Sequence, residues 1–468
     1  MNKTKIVVSD MHLGAGHIDE GNVLEDFECD EEFAGLIYDS IAESQANHIE
    51  MELILNGDIF EFWQVPALEH PDLFDPLMQY GSQYYLSTTR EASRKRMALM
   101  VHGHPLVFEA LAAFLQPSGP RRTMIFIKGN HDVQLHWPDV HQVLREALNA
   151  FGERADCLSF EARYIAREGI YVEHGNQYTE QMNRLDNFEN PIDPKNPDRL
   201  TMTPGGRISI HVLSRLERAH PWMDSVKPMT AMIWYLFRFD FLLSVRILTL
   251  LLRHVPHLFW LALPMNRGQD QTIREIEELQ RELGDGRSLA AACKNPSYCR
   301  AFYARVRRSM EPLSVPDFDE AMEEIEDTDD FLVAQGLAET HRQHARLVEV
   351  GRYKAGQENA CVVLFGHTHE PVVQVLDNEI LYINTGSWMW HLDMSQKPAE
   401  TWRKLIRYGE RYAAQWRLTY ARIDYTEDGV PLATLRELPQ TPIEPLDWRE
   451  RLLDWVRDHL HLPEALRS

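Results

Sequence analysis

With 468 residues and 44% apolar content, the chain can bury one large core or two smaller ones. A formal net charge of −23 argues against non-specific binding to nucleic acid or anionic membrane through the bulk surface. Five cysteines, Cys29, Cys157, Cys293, Cys299 and Cys361, form no CxxC pair, which argues against a zinc finger and for a reducing compartment.

The opening residues, MNKTKIVVSD, enter a strand at once, so a signal peptide is not expected and the cytoplasm is the default location. Runs at 5–9 (KIVVS), 53–55, 124–127 (MIFI), 170–172 and 361–365 (CVVLF) are β-branched or aromatic and too short for helices, and so read as buried strands. Strands apolar on both faces imply an α/β sheet covered by helices on both sides, with ligands gathering outside the carboxyl ends. Each run ends in a polar cluster: Asp10-Met11-His12, Gly57-Asp58, Gly129-Asn130-His131-Asp132, His174-Gly175 and Gly366-His367-Thr368-His369. Gly14, Gly57, Gly129, Gly175 and Gly366 are expected to let the backbone turn there.

Between His174 and His367 lie 192 residues, too many for a connection within a sheet, so this segment is expected to fold by itself. Within 205–267, eight basic residues (Arg207, Arg215, Arg218, Lys227, Arg238, Arg246, Arg253, Arg267) face three acids (Glu217, Asp224, Asp240), a local +5. The stretch 229–265 is the most apolar of the chain, but Arg238, Asp240, Arg246, Arg253, Pro256 and Pro264 interrupt it, so it is no ordinary membrane span. Its arginines fall on one side of a helix, and two readings stay open. One is a lid in peripheral contact with the inner membrane surface, and the other is a buried helix pair or dimer contact. Further on, 268–283 reads as a polar helix, 311–330 as an acidic solvated face or loop, and 331–350 as a helix feeding the strand that ends in Gly366-His367-Thr368-His369. Then come a strand at 380–383, a hairpin over 418–438 and a terminal amphipathic helix at 446–460.

The residue types suit one chemistry. Two divalent ions about 3.5 to 4 Å apart need a bridging carboxylate and several neutral nitrogens, with few thiolates, because the substrate offers hard phosphate oxygens. Asp58 is the natural bridge, and Asp10, His12, Asn130, His174, His367 and His369 can complete the two shells. Taken singly, Asp10-Met11-His12 and Gly57-Asp58 are more often plain turns, Gly129-Asn130-His131-Asp132 could cap a helix and His174 is more often a core histidine, with Gly366-His367-Thr368-His369 the sharpest signal; their conjunction, each after a strand, carries the reading.

In the order DxH, GD, GNH[DE], lone His and GHxH, these clusters resemble the calcineurin-like metallophosphoesterase family. That resemblance implies a four-layer α/β/β/α metallophosphoesterase sandwich with a large, mostly helical insertion. Its core would be 1–180 and 351–440, its insertion 181–350, and 441–468 a C-terminal helix. One ion would be held by Asp10, His12, Asp58 and His369, and the other by Asp58, Asn130, His174 and His367. His131 would be the catalytic histidine, with Asp132 beside it in the catalytic set, and a hydroxide shared by the ions the nucleophile. Mn2+ is the implied metal, with Fe or Zn as alternatives. The segment Gly57-Asp58-Ile59-Phe60-Glu61-Phe62-Trp63 is also similar to the GD-x-FE-x-W segment of UDP-2,3-diacylglucosamine pyrophosphatases, whose commonest form carries Arg where this chain has His131. A phosphorylated small molecule or a lipid-linked phosphate is therefore the expected partner. A metal-dependent nuclease and a non-catalytic scaffold stand as alternatives; acidity disfavours the first, and the intact ligand set the second.

Overall fold

The computed structural model describes residues 2–227 and 328–439, apart from positions 180, 219, 221, 224, 377–379, 395–396 and 409–416, with a few more among 232–247. The helices expected at 268–283 and 446–460, and most of 229–265, lie outside the described residues.

All five short runs form strands, and they divide between two sheets. In the first, Lys3–Val8, Glu50–Asn56, Arg122–Ile127 and Leu158–Glu161 run parallel in that spatial order. The hairpin Thr419–Tyr425 and Pro431–Glu437 extends it antiparallel beyond Lys3–Val8. In the second, Ile170–Val172, Val362–Phe365 and Leu381–Thr385 run parallel, with Tyr164–Arg167 and Pro371–Val375 antiparallel at the edges.

Successive side chains of a strand point to opposite faces, and both faces of both sheets are apolar. Val7, Ile54, Ile125, Ala421 and Ile423 of the first sheet share one buried cluster with Ile170, Val172, Val362, Leu364 and Ile383 of the second. On the other side of the second sheet, Tyr171, Val363, Phe365 and Tyr382 pack on Leu347, Val348 and Ala355 of the helix Thr328–Glu358. Beside the first sheet, Phe126 stacks on Phe60, which stacks on Phe108 of the helix Pro105–Phe114. The expectation of helices on both sides of one sheet is thus corrected: a second sheet buries an apolar strand face as well as a helix does.

The chain divides into two compact units. The first comprises Met1–Ser225, Arg346–His391 and Tyr412–Ser468, and the second Val226–Ala345 and Leu392–Arg411. Residues 181–225, assigned from sequence to the insertion, therefore belong with the sheets. The reason is local packing: Thr88 Oγ1 donates to Leu200 O at 2.8 Å, and Gly206 lies so close to Trp63 that a Cβ there would meet the indole at 2.8 Å. In the second unit Met232, Tyr235 and Leu236 are buried, with Tyr235 stacked on Trp402. Trp234, Phe237, Phe241 and Leu248, large apolar residues of the stretch 229–265, lie outside the described residues. Among the described residues no single helix is long and apolar enough to cross a membrane.

One buried cation shapes the loop after the Gly57–Trp63 segment. Arg96 is fully buried and donates to the carbonyls of Val65 (2.9 Å), Ser87 (2.7 Å) and Tyr84 (2.8 Å), and also to Tyr85 O. Leaving buried carbonyls without donors is costly, so Arg96→Met is expected to destabilise the protein by about 3 kcal/mol. Lysine, a single ammonium in place of a planar fork, will recover only part of this. Urea unfolding followed by tryptophan fluorescence reads the effect; an unchanged midpoint for Arg96→Met would contradict it.

Candidate metal centre

The carboxyl ends of the two sheets are stitched together where the polar clusters emerge. Asn56, last in its strand, donates from Nδ2 to Glu173 O of the other sheet at 3.2 Å and accepts from His174 Nδ1 at 3.1 Å. Ser9 Oγ and Thr385 Oγ1 meet at 2.6 Å, joining Lys3–Val8 to Leu381–Thr385. The segment 384–388 adds further ties. Asn384 Nδ2 donates to Gly366 O (2.7 Å) and Thr368 Oγ1 (3.1 Å), and the Trp388 amide donates to Asp10 O at 3.0 Å.

Two groups form there. In one, the ligand atoms of Asp10, His12 and His369 lie within 4.8 Å of one another, and in the other those of Asp58, His174 and His367 do. His369 Nε2 is 3.3 Å from Asp10 Oδ1, and His174 Nε2 is 3.0 Å from Asp58 Oδ2. The groups interlock, since the His367 amide donates to both oxygens of Asp10 at 3.0 and 3.1 Å. Asn130 sits between Gly129, which abuts Asp58, and His131, whose amide donates to Asp58 Oδ1 at 2.7 Å. All seven residues read from the sequence as ligands are thus gathered at one end of the two sheets.

The backbone here is held in conformations it would not adopt freely. Asp10, His12, Asp58, His367 and His369 all have φ between 49 and 71°, the left-handed region rare for residues with a Cβ. Such strain collects where a site over-determines its geometry. Of the glycines, Gly57 (φ +78°) serves as a turn. Gly129 and Gly366 serve instead by leaving room: a Cβ would lie 2.2 Å from Asp58 Oδ1 and 2.4 Å from Asp10 Oδ2 respectively.

Three observations fit this donor set to a cation. First, His12 Nε2 and Asn130 Oδ1 are buried without a hydrogen-bond partner, a costly state in an ordinary core. Second, the ring orientations are fixed: His12 Nδ1 pairs with Glu61 Oε2 at 3.0 Å and His174 Nδ1 donates to Asn56 O, which leaves Nε2 of each ring as the nitrogen a cation would take, displacing any proton it carries. Third, the field is negative. Burial opposes ionisation of Asp10 and Asp58, yet the neighbouring imidazoles, His174 foremost, hold both below the usual carboxylate range. Burial pushes the His174 imidazole down, but Asp58 and Asp10 outweigh it and raise it to about 10. His367, buried beside the charged His174, falls to about 3.

Glu61 is the functional residue that the sequence reading passed over. It is 3% exposed and uses one carboxylate oxygen, Oε2, for both His12 Nδ1 and His131 Nδ1, while Oε1 accepts from the Trp63 amide at 2.9 Å. Its pKa is carried down to about 2 because, against the penalty of burial, the His131 charge and the two imidazole hydrogen bonds favour the anion. His131 responds in kind: burial lowers its pKa, but Glu61 and Asp58 raise it to about 9. A third set of potential ligand atoms, His12, Glu61 and His131, reflects this arrangement.

Asp132, expected in the catalytic set, has a different place. Fully buried, it accepts from the amides of Gly129, Ile59 (2.8 Å) and Phe60 (3.4 Å), and so braces the two loops that carry Asp58 and Asn130. Burial and the Asp58 charge raise its pKa to about 7. A signal for this lay in its residue type, since aspartate side chains in turn segments commonly bind backbone amides. No protein-family model matches this sequence, and no curated protein matches it either.

Proposed function

We propose that the protein is a dinuclear-metal-dependent phosphohydrolase of the calcineurin-like type, cleaving a phosphoester or a pyrophosphate. The observation that supports it most is the pair of interlocked groups, Asp10, His12, His369 and Asp58, His174, His367, with Asn130 Oδ1 buried beside them and lacking a partner. On this reading the two sheets and their flanking helices are the α/β/β/α sandwich of that family, and Asp58 lies between two divalent ions. Manganese suits a donor set of imidazole, carboxylate and amide oxygens without thiolate. Such ions would polarise a phosphoryl oxygen and acidify a water.

The chain's own residues supply the rest. Glu61 orients the His131 ring through Nδ1 and, with Asp58, keeps it protonated at neutral pH. The Nε2–H of that ring, on a side chain 24% exposed, is then the group that meets charge on the departing oxygen or hands it a proton. Asp132 and the 384–388 segment hold the loops and exclude water from behind.

A UDP-2,3-diacylglucosamine pyrophosphatase-like activity on a lipid-linked substrate is the second reading, favoured by the GD-x-FE-x-W segment, in which Glu61 Oε1 accepts from the Trp63 amide at 2.9 Å and Trp63 Nε1 donates to Asn130 O at 3.1 Å. A screen of phosphomonoester, phosphodiester and nucleotide pyrophosphate substrates with Mn2+ tests both. Turnover that depends on Mn2+ and is lost in His131→Ala supports the proposal. Metal-loaded protein inert toward all three classes would overturn it.

A further inference from the structure

The loop carrying Asp10 and His12 is held on one side by the neighbouring metal-bearing loop. The amides of Asp10, His12 and Leu13 donate to the carbonyls of Gly57, Asp58 and Ile59 at 3.1, 3.0 and 2.9 Å. What holds its other side is a second carboxylate, far from any role in the centre itself. Glu25, with a side chain wholly shielded from solvent, accepts from the Gly14 amide at 2.9 Å and the Gly16 amide at 2.6 Å. A Cβ at Gly14 would lie 2.6 Å from Glu25 Oε2, so the loop wraps directly onto this carboxylate.

Glu25 is itself pinned. The Phe27 amide donates to it at 3.2 Å, and His104 Nε2 lies 3.5 Å away. His104, 1% exposed, turns its other nitrogen to Asp30 Oδ1 at 3.0 Å, at the start of the helix Asp30–Asn47. It also occupies the 93° corner between the helices Arg90–Gly103 and Pro105–Phe114. That corner presses on the loop: a Cβ at Gly103 would be 2.1 Å from Ala15 O, and one at Gly16 2.3 Å from Gly103 O. A continuous path therefore runs from two helix ends through His104 and Glu25 to Gly14, two residues from His12.

We propose that Glu25, backed by His104 and Asp30, is the positioning residue that holds Asp10 and His12 in their left-handed backbone, and that it sets the ion affinity of the Asp10, His12, His369 group more than that of Asp58, His174 and His367, which the His367 amide ties to Asp10. The proposal rests on the metal reading given above. Support comes from charge: burial lowers the pKa of His104, but Glu25 and Asp30 raise it to about 9, so a cation stands between the two acids at neutral pH. Residues that orient a metal ligand from behind typically govern affinity 10- to 100-fold.

Glu25→Gln keeps the volume but turns an NH2 group toward one of the two amides and removes the pairing with His104; His104→Gln is a milder second variant. Mn2+ titration should show that the binding event abolished by His369→Ala is weakened about tenfold or more in Glu25→Gln, and less in His104→Gln. The remaining event should change by no more than a few-fold. Hydrogen exchange of metal-free protein should show residues 10–16 opening roughly tenfold faster in Glu25→Gln, the equivalent of a lost hydrogen bond. Folded Glu25→Gln with both binding events as in the wild type, or with both weakened equally, would overturn the proposal. A wild type that binds no Mn2+ would instead sink the metal reading, and the exchange measurement alone then decides: unchanged exchange at 10–16 overturns the brace.

Discussion

Asp58→Ala will lose ions from both groups at once and reduce hydrolysis to background. The carboxylate is 1% exposed, its Oδ2 is 3.0 Å from His174 Nε2, and its Oδ1 accepts from the His131 amide. The backbone of the same residue fixes the other group, since Asp58 O accepts from the His12 amide at 3.0 Å. On the proposed reading, removing the side chain therefore deprives both ions of a shared ligand and of the anion that offsets their repulsion. His367→Ala and His369→Ala will each weaken mainly one ion, because they belong to different groups. Metal analysis after dialysis against Mn2+ reads the outcome, and two ions retained by Asp58→Ala would contradict the assignment of a shared carboxylate.

Glu61→Gln will slow turnover by on the order of 10²-fold while lowering ion affinity less than Asp58→Ala does. Two effects combine. The amide must turn its NH2 group either toward the two imidazoles or against the Trp63 amide, which now donates to Oε1, so the hold on His12 and His131 is loosened in either orientation. It also removes the anion that, with Asp58, holds His131 at about 9. The sign follows: a raised pKa keeps His131 protonated below that value, so the activity that needs its proton is lost as pH rises through it. In Glu61→Gln the alkaline limb of kcat moves to lower pH. His131→Ala will show a similar loss of turnover with near-normal metal content. A Glu61→Gln enzyme with wild-type kcat and an unmoved alkaline limb would show that Glu61 is only packing.

The strands, and the gathering of their polar clusters at one end, were legible because each β-branched run leads into a polar cluster rich in histidine and carboxylate. The division into two sheets was not. Alternation shows that Val7 and Ile6 are both buried, but not that Val7 meets Ile170 and Val362 rather than a helix. Glu61 was passed over because it stands inside an apolar run, Ile59-Phe60-Glu61-Phe62-Trp63, though a lone acid in such a run is itself a sign of a buried partner. Asp132 was read by its neighbour His131, whereas its oxygens go to backbone amides. Glu25 and His104 are 79 residues apart, and nothing local in either segment announces that they meet. The left-handed backbone of Asp10, His12, Asp58, His367 and His369 is equally silent in a sequence, since it is imposed by the loops around it.

The central claim is that two ions share Asp58. Electron paramagnetic resonance of wild-type protein titrated with Mn2+ tests it most directly, because two Mn2+ ions bridged at about 3.5 to 4 Å are magnetically coupled. The predicted result is a coupled signal that saturates at two ions per chain and is absent from Asp58→Ala. An uncoupled six-line spectrum at every loading, or no bound Mn2+, would contradict it.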